Sequence, residues 1–181
     1  GGHSHNSWRD IRSLIEGAGI RMGAKRRALD IFTRIAEAEA HVHGVPAGEV
    51  AFHEVGALDS IIDIVGAAVC LDMLRPDRIT STEIELGGGT VSCAHGILPV
   101  PAPATLFLVK GLPVKTGNFD KEMTTPTGAA ILAASVDEFI PSWKPGCVFT
   151  ELGTGYGIGT RRLEHFNGLR VSWREQGGPE S

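Results

Sequence analysis

The sequence has 181 residues, with 17 Lys and Arg against 21 Asp and Glu and a formal net charge of −4. A chain of this length makes one domain, or one domain with an appendage, and its acidic balance argues against a nucleic-acid partner, which usually demands a basic excess. Apolar residues make up 42%, enough for a packed core. The longest apolar stretch, Ile61 to Leu74, is broken by Asp63 and Asp72 and falls short of the roughly 20 apolar residues of a membrane span. The three cysteines are widely spaced, which gives no disulfide framework and fits a reducing cytoplasm. No signal-peptide pattern follows Gly1, and the chain is expected to be a piece of something longer.

In chain order, residues 1–6 read as a flexible tail. Ser7 followed by Asp10 is a capping-box pattern. Trp8, Ile11, Leu14, Ile15 and Ala18 then recur at helical spacing until the glycines at 17 and 19. A longer helix is expected over about 23–43, with Ala28, Ile31, Phe32, Ile35, Ala38 and Val42 on its apolar stripe. Asp30 with Arg34 and Glu37 with His41 are its exposed i,i+4 pairs, and Gly44 and Pro46 stop it. Ser60 and Asp63 suggest a second capping box. The run that follows, Ile61 to Leu71, is apolar on almost every face and predicts a central helix buried nearly all round.

After Pro76 the period changes to two. Thr80, Thr82, Ile84 and Leu86 predict a strand ending at Gly87–Gly89, and Val91 and Cys93 a second. The segment 98–103 is too rich in proline for a central strand. Pro103 opens a short helix to Lys110, and Thr124-Thr125-Pro126-Thr127-Gly128 opens an apolar helix to about Phe139. Two further strands, near 146–152 and 169–173, are joined by the glycine-rich stretch 153–159, read as a turn needing positive φ rather than as a phosphate cradle. The fold class is α+β: a helical N-terminal third followed by a mixed sheet with short helices. It forms one domain over 7–176, with residues 177–181 as a second tail.

Standard signatures fail. A GxGxxG run from Gly87 would need glycine at Ser92, no lysine follows a glycine, and the residue that would complete HExxH after His53-Glu54 is Ala57. What remains is a set of polar residues in apolar surroundings. His53, Glu54, Asp59 and Asp63 surround the apolar helix, and burying them without partners would cost roughly 1–3 kcal/mol each. Helix capping accounts for Asp63 and Asp59 more readily than for His53 and Glu54. Cys93 and His95 are two apart, which in an extended segment puts both on one face. Thiolate and imidazole together suit nickel, zinc or copper, and a buried cysteine beside a hydrogen-bonded histidine is the plain alternative. His41 and His43 sit near a helix C-terminus, where imidazolium is favoured by the helix dipole. His3 and His5 belong to the tail. Thr124, Thr125 and Thr127 surround a helix start, where backbone N–H groups and hydroxyls can hold a phosphate or simply cap the helix.

Three blocks taken together resemble a known family: Phe52-His53-Glu54-Val55-Gly56-Ala57-Leu58-Asp59-Ser60-Ile61-Ile62-Asp63, Gly89-Thr90-Val91-Ser92-Cys93-Ala94-His95-Gly96-Ile97-Leu98-Pro99-Val100-Pro101-Ala102-Pro103-Ala104-Thr105, and Thr124-Thr125-Pro126-Thr127-Gly128-Ala129-Ala130. With Gly155-Tyr156-Gly157-Ile158-Gly159-Thr160-Arg161, they make the sequence similar to the LarC family of nickel-insertion proteins. The resemblance implies a CTP-dependent cyclometallase of the lyase class. Such a protein inserts nickel into pyridinium-3,5-bisthiocarboxylic acid mononucleotide, and the product serves lactate racemase and related enzymes. The family's glycine-rich opening of the type FSGISGDM and its CTP-binding C-terminal region are not in this sequence, so the chain reads as a middle portion. His53, Cys93 and His95 are then the expected nickel contacts. Glu54, Asp59 and Asp63 are the expected catalytic carboxylates, and Thr124, Thr125, Thr127 and Gly128 the contacts of the substrate phosphate. The expected partner is the small-molecule nucleotide precursor, with no nucleic acid and no membrane; a homo-oligomer stays open. Nickel storage or delivery without catalysis is the alternative function.

Overall fold

A computed structural model of the chain describes residues 7–52, 58–93, 96–140, 153–158 and 168–173. Helix α1, Trp8–Gly17, starts where the capping box predicts. The Ser7 hydroxyl oxygen accepts from the Asp10 N–H at 3.2 Å, and the Asp10 carboxylate accepts from the Ser7 N–H at 3.1 Å and from its hydroxyl at 2.7 Å. These bonds, the side-chain one first and the backbone one second, hold the Asp10 carboxyl below its ordinary value of 3.8. A carboxyl lowered by folding adds stability above its unfolded value, and that stability is lost as pH falls through the folded one. The acid limb of a stability–pH curve should therefore flatten below about pH 4 in Ser7→Ala relative to the parent chain; superimposable limbs would show that the box carries no such linkage.

Helix α2, Met22–His43, is the hub. It buries Ala24, Ala28, Ile31, Phe32, Ile35, Ala36 and Ala38, whereas α3, Leu58–Leu74, buries only Ile61, Ile64 and Ala68. The expectation that α3 is buried nearly all round is thus corrected, and the central role passes to α2. Arg21 caps α2 without a side-chain hydrogen bond. Asp72 of α3 lies against this end: its carboxylate pairs with Arg21 at 2.8 Å and occupies the space that a Cβ on Gly23 would fill. A negative charge at a helix N-terminus is stabilising, and this one also ties α3 to α2. At the other end α2 stops at Gly44, as expected. Arg34 pairs with Asp30 at 3.5 Å on its exposed side, and His43 pairs with the largely buried Glu39 at 3.2 Å. A single 3₁₀ turn, Ala47–Glu49, follows. Val50 and Phe52 are then buried, the latter with its ring 6.2 Å from that of Phe32.

The second capping box does not form. Helix α3 begins at Leu58, so Ser60 and Asp63 lie inside it. Asp59 occupies its first turn, where a carboxylate suits the helix dipole, and accepts from the Ser60 N–H at 2.8 Å.

The β elements are short. The strand expected over 80–86 is two, β1 (Thr80–Ser81) and β2 (Ile84–Glu85). Next come β3 (Thr90–Cys93), β4 (Gly96–Pro99), α4 (Pro103–Leu108), β5 (Val114–Lys115), α5 (Pro126–Ser135) and β6 (Glu138–Phe139). β1 pairs with β6 and β2 with β5, both parallel, while β3 and β4 form an antiparallel hairpin. In a two-stranded hairpin each strand is an edge, which accommodates Pro99. α5 stops short of the expected Phe139 because the chain leaves the helix to pair with β1: Asp137 N–H donates to Ile79 O at 2.9 Å and Ile140 N–H to Ser81 O at 2.8 Å. Helices first and mixed strand pairs later make the fold α+β.

The chain divides into two compact units, Gly1–Ser142 and Trp143–Ser181, and all the elements above belong to the first. The second holds β7 (Gly153–Ile158), antiparallel to β8 (Gly168–Trp173). The expected glycine-rich turn is therefore a strand: Gly153, Gly155 and Gly157 pair with Trp173, Val171 and Leu169, so every bulky apolar residue of β8 faces a glycine. The segment 146–152 lies outside the described residues.

Candidate functional site

Glu85, at the end of β2, organises the region around the triple glycine. One carboxylate oxygen accepts from the Gly87 N–H at 2.9 Å, and the other accepts from the Asn118 side-chain amide at 2.6 Å. Its carbonyl accepts from the Thr124 hydroxyl at 2.7 Å. The loop 117–123 is thereby laid over the glycines, with Gly117 N–H donating to Gly87 O at 3.0 Å, Gly88 N–H to Lys121 O at 3.2 Å and Met123 N–H to Leu86 O at 3.2 Å. Side chains have no room here: a Cβ on Gly88 would stand 2.8 Å from Phe119 O, and one on Gly89 2.8 Å from Asp120 O.

Two chain segments lead away from this knot. One is the β3–β4 hairpin, closed at its base by Val100 N–H donating to Gly89 O at 3.0 Å. Cys93 and Gly96 are register partners at its far end, about 13 Å along the strands at 3.3 Å per residue. The other segment is the start of α5. Thr125 is its N-cap, with its hydroxyl accepting from the Gly128 N–H at 3.3 Å. Thr127 lies half-buried in its first turn. Thr124, Thr125, Thr127 and Gly128 are thus together, and Glu85 fixes them near the hairpin base. Two of the three hydroxyls already have structural partners, Thr124 on β2 and Thr125 on its own helix.

The remaining candidates divide as follows. Asp59 and Asp63 are exposed, one turn apart on α3; the burial cost anticipated for them does not arise. His53, Glu54 and His95 lie outside the described residues, and only the backbone of Cys93 is described. Because the described part of β3 ends at Cys93, a continuous extended run from Cys93 to His95 is not part of the described fold. Among the described residues no three His, Cys, Asp or Glu side chains gather to hold a metal ion. His41 packs against Phe107 with ring centroids 4.8 Å apart and the planes tilted by 32°, and His43 pairs with Glu39, so both serve the end of α2. Glu85 and Asn118 escaped sequence reasoning. Their partners lie 33 residues apart, and no local pattern marks such a contact. No described helix is long and apolar enough to cross a membrane.

The described unit is α+β, and its hairpin cysteine and hydroxyl-rich helix start are groups whose chemistry suits a metal ion and an anion. The particular family is shown by similarity: the chain belongs to the nickel insertion protein family, whose profile matches residues 1–181. It is 52% identical over 168 residues to the pyridinium-3,5-bisthiocarboxylic acid mononucleotide nickel insertion protein of Clostridium acetobutylicum, covering 93% of this chain and 39% of that protein. The protein of the same name from Akkermansia muciniphila is 52% identical over 170 residues, covering 93% and 41%. A putative nickel insertion protein of Wolinella succinogenes is 50% identical over 157 residues, covering 87% and 39%. The chain spans about two fifths of the length of these relatives. No solved structure matches it.

Proposed function

We propose that this chain is the nickel-handling part of a cytoplasmic protein that inserts nickel into pyridinium-3,5-bisthiocarboxylic acid mononucleotide to make the nickel-pincer cofactor. The observation that carries this reading is 52% identity, over 93% of the chain, to a protein named for that reaction. Nickel is the substrate here, so it must be held and then released to a carbon and two sulfurs. A few labile ligands serve this better than a closed four-ligand cage. His53, Cys93 and His95 are the proposed contacts. Glu54, Asp59 and Asp63 are the carboxylates available for proton transfer and for orienting the imidazoles. The helix dipole at the start of α5, with Thr124, Thr125, Thr127 and Gly128, offers the substrate phosphate an anion site. CTP dependence and its divalent metal are assigned to the parts of the family polypeptide outside this chain.

Calorimetric titration with nickel tests the assignment. One nickel should bind per chain, and Cys93→Ala or His53→Ala should each weaken binding by about tenfold or more, the scale seen when metal-site residues are removed. Absent binding, or binding indifferent to both substitutions, would refute the ligand set. Nickel binding without binding of the nucleotide precursor would favour storage or delivery over insertion.

A further inference from the structure

Helix α3 carries apolar residues on nearly every face, yet the described residues of its own unit cover one side of it. Leu58 is 72% exposed, Ile62 60% and Met73 65%. With Val69 they fall on one helical stripe, since positions separated by 4, 11 and 15 residues return to within about 60° at 3.6 residues per turn. The stripe runs into a groove of about 440 Å³ bordered by Ile20, Ala24, Val69 and Met73 and by the Arg21–Asp72 ion pair.

We propose that the α3 stripe and its groove are the face on which the rest of the nickel insertion polypeptide packs. The relatives carry about three fifths of their length outside the region matched here. A second copy of this chain fits less well. Asp59 and Asp63, both exposed, flank the stripe along the first half of α3, so a copy laid on that half would set like charges face to face; Asp72 is already paired with Arg21. The occupant is an apolar element bordered by Lys or Arg. This inference rests on the family match and stands apart from the nickel chemistry.

Cys70 is exposed on this helix and reports on its cover. A chimera should be made in which this chain replaces the matched region of the Clostridium acetobutylicum protein. Maleimide labelling of Cys70, read by peptide mass, should be fast in the chain alone and at least tenfold slower in the chimera. Ile62→Glu, at an exposed position, should restore fast labelling there. Amide exchange offers a measurement independent of the chimera: the helix matching α3 should exchange at least tenfold more slowly in the full-length Clostridium protein than α3 does here. Equal labelling and equal exchange in both settings would overturn the proposal. So would protection in the chain alone that rises with concentration, the mark of a second copy.

Discussion

Gly87→Ala is expected to lower the stability of the first unit by about 3–4 kcal/mol, the upper range for a single substitution. Two costs add. Gly87 has φ +84°, a region where a non-glycine residue is strained by about 1–3 kcal/mol. Its new Cβ would also strike the backbone carbonyl of Lys121, and backbone cannot swing aside as a flexible side chain can. Relief would require lifting the loop 117–123, which would break the Gly88–Lys121 and Met123–Leu86 hydrogen bonds. Gly117→Ala separates the two costs. Its φ is +83°, but nothing lies within 4 Å of its Cβ position, so it should lose only about 1–2 kcal/mol. Urea titrations of the two variants measure the difference, and equal midpoints would remove the contact from the account. Because Gly87 leads into the hairpin that carries Cys93, the proposed nickel contact, Gly87→Ala should also weaken nickel binding, whereas Gly117→Ala should leave it closer to the parent.

This contrast marks what the sequence could and could not disclose. Signals that act within one turn were legible. Ser7 with Asp10, Gly44 after α2, Pro103 at the start of α4 and Thr125 ahead of Pro126 each satisfy or exclude a backbone hydrogen bond nearby, and each sits where expected. Contacts across the chain were not legible. The triple glycine read as a strand stop; its real constraint is a loop thirty residues later. Ser60 and Asp63 match a capping box in spacing, but the helix begins two residues earlier. The apolar run of α3 correctly implied a helix that wants cover on all sides. It could not disclose that the described residues of its own unit supply cover on one side only. Alternating glycines in β7 read as a turn because glycine disfavours strands, yet the bulky residues of β8 opposite them make a strand workable. For the site, local chemistry singled out His53, Cys93, His95 and the threonines, and the family resemblance joined them. Glu85, which ties the start of α5 to the hairpin base, carries no local signal at all.

Phe32→Ala should be the most damaging core substitution, because Phe32 joins three segments at once. Its side chain is fully buried. Its ring stacks on Trp8 of α1 with centroids 6.3 Å apart and 25° between planes, and meets Phe52 at 56°. Truncating a buried phenylalanine costs about 3–5 kcal/mol, from lost transfer energy and the cavity left behind. Total stability for a domain is about 5–15 kcal/mol, so the variant should sit near the edge of folding. Its Tm should fall by roughly 10 °C, at 2–4 °C per kcal/mol for a chain of this size. Phe32→Leu keeps most of the volume and should lose less than half as much. Leu14→Ala, at a residue 59% exposed, should change stability by no more than about 0.5 kcal/mol. Melting curves of the three decide the matter: a Phe32→Ala loss as small as that of Leu14→Ala would mean that α2 does not organise the core. The effect should also reach the proposed nickel contact His53, since Phe52 directly precedes it in sequence and packs against Phe32. Phe32→Leu should therefore bind nickel nearly as the parent does, while Phe32→Ala, even where still folded, should bind it more weakly because the segment carrying His53 has lost the ring it packs against.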